Sequence, residues 1–303
     1  MGGKAEVRVP GRAITAVGPA DGPFDVILLC TQPPQVEDAA RSVVDRLASD
    51  GTMLVLQNGL CEQRVARIVG AERVIGAVVA WGGSMVEPGV YDRTSDGGFV
   101  IGRYDGQDDP RLAQIAALLE PIGPVQITRN LAGARWSKLA INCAISTLGT
   151  IGGDRLGPLM RLMWARRLGL EIVTEVVAVA HAEGVQLEKV VGAVDLDWLA
   201  LTDVERRATL GSPTLFLKHS LMLGVGARYR NLRSSMLQAI ERGRTPAVGF
   251  LNGEIVERGL RHGIPTPRNA AAVAWVHAIA AGERKPSVES LRALFDATRT
   301  PSA

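Results

Sequence analysis

The sequence predicts an α/β domain followed by an all-helical domain. Up to about residue 130, short apolar runs typical of buried parallel strands alternate with segments of helical periodicity. Beyond that point strand-like runs disappear and helical segments follow one another. A chain of 303 residues can bury two separate cores. We therefore expect an α/β domain over 1–130 and a helical domain over 131–303.

The elements of the first half alternate between strands and helices. The predicted strands are short and apolar, at 25–30, 52–57, 73–80 and 125–128, preceded by two β-like pieces at 5–9 and 13–17. The predicted helices between them carry apolar residues at helical spacing, at 36–48, 62–69 and 109–123. The stretch 81–104 is rich in glycine and β-forming residues, and it predicts antiparallel hairpins with turns at 88–89 and 96–98.

The second half predicts helices alone. They are expected at roughly 131–152, 158–184, 187–200, 212–224, 231–243, 246–263, 267–282 and 287–298. Glycine and proline residues punctuate the segments, as they do at ordinary helix ends.

Composition excludes several classes of protein. The 34 basic and 31 acidic residues give a net charge of +3, and no basic run with interleaved aromatics indicates nucleic-acid binding. The three cysteines show no metal-binding spacing and favour a reducing cytoplasm. The amino terminus lacks the apolar core of a signal peptide, and no window is apolar enough to span a membrane. We therefore expect a cytoplasmic protein without metal, nucleic acid or membrane partners.

A glycine-rich phosphate loop is the feature that such an α/β domain would be expected to have. A dinucleotide-binding unit opens with a strand, GxGxxG and a helix, and nothing before residue 25 has that form. The GVGA at 224–227 lies in the helical half and follows no strand. Two interpretations remain open: the true start lies upstream, or the domain has lost its phosphate cradle.

The segment RWSKLAINCAIS (135–146) carries a polar stripe on an otherwise apolar helix. Lys138, Asn142 and Ser146 are four residues apart, so they drift by only about 40° per step around the helix. An ammonium in an apolar crevice can protonate a carbonyl oxygen, and the amide and hydroxyl can hold a substrate. The alternative is a solvated helix edge with a snorkelling lysine, and the residues alone favour neither.

Two further motifs have simple structural explanations. Asn58 in LQNG (56–59) follows a predicted strand, where its amide could reach a ligand, but Asn-Gly is also a common turn. Ser234 and Ser235 are candidates for a helix N-cap. No GxSxG follows a strand, so the sequence does not support a hydrolase triad.

Taken together, several segments resemble the ketopantoate reductase family, the NADPH-dependent 2-dehydropantoate 2-reductases of pantothenate biosynthesis. The matching pieces, in this order, are DVILLCTQPPQ, LQNGL, RWSKLAINCAIS, SSMLQ, GR and FLNGEIVERGLRHGIPTPRN. The resemblance implies a Rossmann-like sheet domain, here lacking its first βαβ unit, and a helical domain, with the active site between them. It also implies hydride transfer from NADP(H) to a 2-oxo acid, giving a 2-hydroxy acid.

The resemblance assigns roles to individual residues. The family's proton-donating lysine falls on Lys138, and its substrate-binding asparagine falls on Asn142. A second substrate-binding asparagine is replaced by Ser146, and the substrate-contacting serine falls on Ser235. The strand-end asparagine near nicotinamide and substrate falls on Asn58.

Three positions depart from the family pattern. Gln32 stands where the family has a lysine near the dinucleotide, Ala247 replaces a glutamate, and Ala239 replaces an aspartate. Losing a carboxylate near an active-site lysine changes the pKa of that lysine, and losing a substrate contact changes specificity.

We therefore expect a 2-oxo acid reductase in which Lys138 donates the proton, Asn142, Ser146, Ser235 and Asn58 bind the substrate, and Asn58 and Gln32 contact NADP(H). One alternative is a related reductase for another oxo acid. The other is a ligand-binding relative that has lost dinucleotide binding. The family resemblance is compatible with a monomer or a homodimer.

Overall fold

The computed structural model describes residues 6–189, 194–207 and 212–299. The strands are β1 (Phe24–Leu29), β2 (Leu47–Val55), β3 (Val74–Val79), β4 (Gly82–Glu87), β5 (Val90–Ser95), β6 (Phe99–Arg103) and β7 (Val125–Ile127). The helices are α1 (Val36–Val43), α2 (Glu62–Val69), α3 (Arg111–Leu119), α4 (Leu131–Gly152), α5 (Leu156–Arg161), α6 (Met163–Ala182), α7 (Leu196–Leu199), α8 (Asp203–Arg207), α9 (Pro213–Arg228), α10 (Ser235–Glu241), α11 (Asn252–His262), α12 (Pro267–Ala280) and α13 (Val288–Thr298).

A five-stranded sheet forms the first half, in the order β1-β2-β3-β6-β7. Every neighbouring pair is parallel except β3 and β6, which are antiparallel. Leu29 pairs with Val55, and Val55 pairs with Gly76, so β1 and β2 end side by side at one edge of the sheet and β3 runs three residues further, to Val79. In such sheets ligands bind beyond the carboxyl ends of the strands.

Helices cover both faces of this sheet. On one face, α1 and α2 pack their buried valines and alanines against β1, β2 and β3. On the other, the apolar side of α3 packs against β2, β3 and β6. The prediction of an α/β domain followed by a helical domain is therefore confirmed, because among the described residues strands end at Ile127 and a long helix begins at Leu131.

Helix α4 connects the sheet edge to the core of the helical half. The side chain of Asn130 caps it by accepting a hydrogen bond from the Gly133 N–H at 3.0 Å, and Gly153 ends it with a φ of +68°. Its 22 residues span about 33 Å at 1.5 Å per residue. Most of its side chains are buried against α6, α12 and α13.

A buried asparagine holds α4 against its neighbours. Asn252, at the start of α11, is fully buried, and its amide donates to Thr147 Oγ1 at 3.1 Å and to Asn269 Oδ1 at 2.9 Å. Asn269 in turn donates to the carboxylate of Glu175 on α6 at 2.8 Å. These bonds link α4, α6, α11 and α12, which explains Asn252 and Asn269 in the segment FLNGEIVERGLRHGIPTPRN.

Two predictions in the first half are wrong. The β-like pieces at 5–9 and 13–17 form no strand where the structure describes them, from residue 6 on, because their exposed side chains meet no partner strand. Of the expected hairpins, only β4 and β5 pair with each other. The turn at 96–98 leads instead into β6, whose five residues are all buried and which joins the main sheet beside β3.

The predicted helices of the second half are also divided differently. The segment 158–184 is interrupted at Leu162, where an extended backbone separates α5 from α6. Of the segment 187–200, the described part forms only the short α7, and 190–193 lie outside the described residues. No helix in the described ranges combines the length and the apolar content that crossing a bilayer requires.

Replacing Asn252 by leucine should destabilise the protein, because the partner groups on Thr147 and Asn269 would stay buried without a hydrogen bond. Each unpaired buried group costs about 1–3 kcal/mol in the free energy of unfolding. Chemical denaturation measures the effect, with Glu257→Ala on the exposed side of α11 as the control. Equal unfolding midpoints for the two variants would contradict this role of Asn252.

Candidate active site

The predicted site residues of the α/β half lie where β1 and β2 end. Gln32 follows β1, and Asn58 follows β2. The two strands stay paired up to this edge, since Leu56 N–H donates to the Leu29 carbonyl at 3.3 Å. Their short loops therefore present two amide side chains side by side toward the helical half.

A single cavity brings most of the predicted site residues together. It lies between the edge of the sheet, α4, α10 and the 3-10 turn Ala247–Phe250. The residues of the prediction that line it are Gln32, Asn58, Asn142, Ser146 and Ser235, together with the altered positions Ala239 and Ala247. The remaining lining residues are Pro33, Met236, Thr245 and Leu251. The lining residues are all uncharged, and the polar ones carry amides or hydroxyls.

The two neighbouring serines have different positions. Ser234 is buried and caps α10 by accepting from Leu237 N–H at 3.4 Å, while its hydroxyl pairs with that of Thr150 at 2.6 Å. Ser235 is exposed and lines the cavity. Ser234 thus fixes α10 to α4, and Ser235 is the serine available to a ligand.

Lys138 lies one helical turn before Asn142 but is not among the residues lining the cavity. Its ammonium donates a hydrogen bond to the Val79 carbonyl at 2.5 Å, at the carboxyl end of β3. An ammonium carries three N–H groups, so this bond leaves two for other acceptors. The lysine is thereby held at the edge of the sheet, beside the cavity that its two stripe partners line.

The surroundings of Lys138 lower its pKa to about 7. Burial is the largest cause, because it disfavours the charged ammonium, and the nearby Arg135 guanidinium adds to the effect. The Glu62 carboxylate acts in the opposite direction. A lysine with such a pKa can give and take a proton near neutrality.

Arg135 and Glu62 form a buried ion pair that the sequence did not reveal. Arg135 donates to the carbonyls of Val55 and Gln57, both at 2.7 Å, and its guanidinium contacts Glu62. Each of the two charged side chains is only 3% exposed. The pair fixes α4 to the end of β2, and it places both charges beside Lys138.

Gly76 is the sequence feature from which the Arg135–Glu62 ion pair could have been predicted. A Cβ at this position of β3 would lie 2.4 Å from Glu62 Oε1, so only glycine leaves room for the carboxylate. A glycine inside a buried strand, together with an arginine in an apolar helix, indicates a buried charge. The pattern did not show which carboxylate would be the partner.

Polar contacts across the two halves set the width of the cavity. Arg64 on α2 donates to Glu254 on α11 at 2.7 Å, and Arg258 donates to Gln63 on α2 at 2.7 Å. Gly59 approaches the same region so closely that a Cβ there would lie 2.4 Å from the Phe250 carbonyl oxygen. The loop carrying Asn58 and the turn carrying Ala247 are therefore held at a fixed separation.

Two amide side chains of the cavity have the chemistry to hold the nicotinamide end of a dinucleotide. The amides of Gln32 and Asn58 can pair with the carboxamide of a nicotinamide. After β1, Pro33 and Pro34 have no N–H, and the Gln35 N–H already donates to the Gln32 carbonyl. These three residues therefore offer no free backbone N–H to a pyrophosphate.

Comparison with known proteins gives the family. Residues 2–106 match the family model described as ketopantoate reductase PanE/ApbA, and residues 130–280 match its C-terminal counterpart. A 2-dehydropantoate 2-reductase from Halobacterium salinarum is 30% identical over 245 residues, which are 80% of this chain and 72% of the relative.

Solved structures agree with this match. A PanE/ApbA family ketopantoate reductase from Ralstonia eutropha is 27% identical, with a TM-score of 0.69 over 86% of this chain and 77% of the other. A D-mandelate dehydrogenase solved with NADH shares the fold, with a TM-score of 0.70 at 20% identity over 85% of this chain and 80% of the other. The family models and the sequence identity together establish that the chain belongs to the ketopantoate reductase family, a family of oxidoreductases.

Proposed function

We propose that this protein reduces a 2-oxo acid to a 2-hydroxy acid, with NADPH as the hydride source and Lys138 as the proton donor. The observation that carries the proposal is the position of Lys138, whose pKa is lowered to about 7 one turn from the cavity wall. The named activities of the relatives support the same reaction.

The residues of the cavity have complementary tasks in this reaction. Asn142 and Ser146 can donate hydrogen bonds to the oxo acid from α4, and Ser235 can do so from the opposite side. Lys138 keeps two N–H groups beyond its bond to Val79, so it can bond the keto oxygen. Its proton stabilises the negative charge that develops there and is finally transferred to that oxygen.

The position of Arg135 and Glu62 supports the same role for Lys138. The Arg135 guanidinium lowers the pKa of Lys138, and the Glu62 carboxylate raises it, so that Glu62 limits the decrease. Burial and Arg135, opposed by Glu62, bring the pKa of Lys138 from its ordinary value near 10.5 into the range where the group can donate a proton at neutral pH.

A nicotinamide dinucleotide would supply the hydride when bound. Gln32 and Asn58 are the side chains of this chain placed to hold its carboxamide. A D-mandelate dehydrogenase of the same fold was solved with NADH, which supports a cofactor of this class. The second candidate is a family member that binds the oxo acid and no dinucleotide. It is motivated by Pro33, Pro34 and Gln35 after β1, which offer a pyrophosphate no free backbone N–H.

Lys138→Ala should reduce kcat by about 100- to 10,000-fold, the usual contribution of a positioned general acid. Lys285→Ala, at an exposed position that does not line the cavity, is the control and should keep full activity. Steady-state kinetics with NADPH and a 2-oxo acid measure both variants, and circular dichroism checks their folding. A folded Lys138→Ala variant with unchanged kcat would exclude this lysine as the donor.

The rate of reduction should fall as the pH rises through about 7, because the donor must be protonated and the pKa of Lys138 is about 7. The reverse oxidation needs the neutral amine, so its rate should fall as the pH drops through the same range. Profiles of kcat/KM against pH, measured for reduction and for oxidation, test these two opposite pH dependences. A reduction rate that stays constant up to pH 9 would contradict it.

Glu62→Gln should shift the fall in kcat/KM for reduction to lower pH, since the carboxylate that raises the pKa of Lys138 is removed. The exposed Glu257→Gln is the control and should leave the profile unchanged. A merely structural role of Glu62 would lower the amount of folded protein without shifting the profile.

Fluorescence titration of the 303-residue chain with NADPH and with NADH separates the two candidates. The reductase is expected to bind NADPH more tightly than NADH, and Asn58→Ala should weaken binding of both, because the amide contacts the end that they share. Saturation with neither cofactor would favour the binding protein over the reductase.

A further inference from the structure

The cavity has two unlike sides. The edge of the sheet and α4 contribute polar groups, namely Gln32, Asn58, Asn142 and Ser146. The side formed by α10 and the turn after it is apolar at depth, with Met236 only 2% exposed and Leu251 only 3% exposed. The polar residues of that second side, Ser235 and Thr245, are exposed at the mouth.

Two alanines leave the inner part of this second side without a hydrogen-bonding side chain. Ala239 and Ala247 are half-buried and line the cavity together with the buried Met236 and Leu251. A methyl group neither donates nor accepts a hydrogen bond. A substrate hydroxyl that reaches this wall would therefore lose its bonds to water and find no replacement.

A 2-oxo acid can match the polar and the apolar side of the cavity in only one orientation. Its carboxylate and keto group need hydrogen-bond donors, which the amides and hydroxyls near α4 supply. The keto group must also lie toward Lys138, which is on the same helix as Asn142. The carbon chain beyond the keto group is then directed at the apolar side.

From this division we propose that the preferred substrate is a 2-oxo acid whose chain beyond the keto carbon is purely hydrocarbon and free of hydroxyl groups. The inference rests on the proposed reductase function and adds the substrate class to it. The discriminating residues are Ala239 and Ala247, because they determine what the apolar side can accept.

One pair of compounds tests this directly. The acid 3,3-dimethyl-2-oxobutanoate and 2-dehydropantoate, its 4-hydroxy derivative, differ by a single hydroxyl. An unpaired buried hydroxyl reduces kcat/KM by about 10- to 100-fold, which is what an apolar pocket can achieve against an added hydroxyl. We expect the hydrocarbon compound to be preferred by that factor with NADPH. Equal values, or a preference for 2-dehydropantoate, would overturn the inference.

Variants at position 247 separate polarity from volume. Ala247→Glu adds an acceptor for the hydroxyl and should decrease the preference about tenfold or more, whereas Ala247→Met adds a similar length without an acceptor and should keep it. Thermal melts establish that both variants fold. An identical effect of the two substitutions would show that the wall selects by size and would contradict the proposal.

Calorimetry of the unmodified chain distinguishes this inference from the proposed function. If neither compound is reduced, the reductase proposal fails, but the two acids can still be titrated into the protein without a cofactor. Tighter binding of 3,3-dimethyl-2-oxobutanoate would support the apolar wall on its own. Tighter binding of 2-dehydropantoate, equal binding, or no binding of either acid would refute it.

Discussion

The contact on which the site depends is the buried guanidinium of Arg135. It donates to the carbonyls of Val55 and Gln57, both at 2.7 Å, and Glu62 balances its charge. Two buried charges are tolerated only when they are paired and hydrogen-bonded, so this geometry has few alternatives. It fixes the first turn of α4 to the end of β2, and thereby sets where Lys138, Asn142 and Ser146 lie relative to Asn58. The cavity exists because a helix of one half is tied to a strand of the other.

The contact between Arg135 and Glu62 determines both the position of α4 and the charges around Lys138. The ion pair that fixes α4 also places one positive and one negative charge beside Lys138, so the mechanical support of the helix is at the same time a source of the lowered pKa. The contacts of Arg64 with Glu254 and of Arg258 with Gln63 join α2 to α11, the helix that follows the turn carrying Ala247. Ala239 lies on α10 and Ala247 on the turn before α11, not on α4, so substitutions there test the proposed substrate preference separately from the proposed proton donor.

The sequence predicted the order of layers better than the details of pairing. Apolar periodicity identified the sheet strands and α4, because both depend on local burial. It assigned β6 to a hairpin, since only the assembled sheet shows that its partner is β3. The stripe on α4 was visible as a spacing of four, and the cavity does unite Asn142 and Ser146 with Asn58 and Ser235. The bond of Lys138 to the Val79 carbonyl and the pair Arg135–Glu62 join residues 59 and 73 positions apart, which no local pattern encodes.

The most direct test of this account is the titration of Lys138 itself. Nuclear magnetic resonance of lysine labelled at the side chain can follow its ammonium, with Lys138→Arg identifying the signal by its disappearance. We predict that the Lys138 ammonium titrates with a midpoint near pH 7, because its pKa is lowered to about 7 by burial and by Arg135. A midpoint near 10.5, the ordinary value for a lysine, would contradict the proposed proton donor.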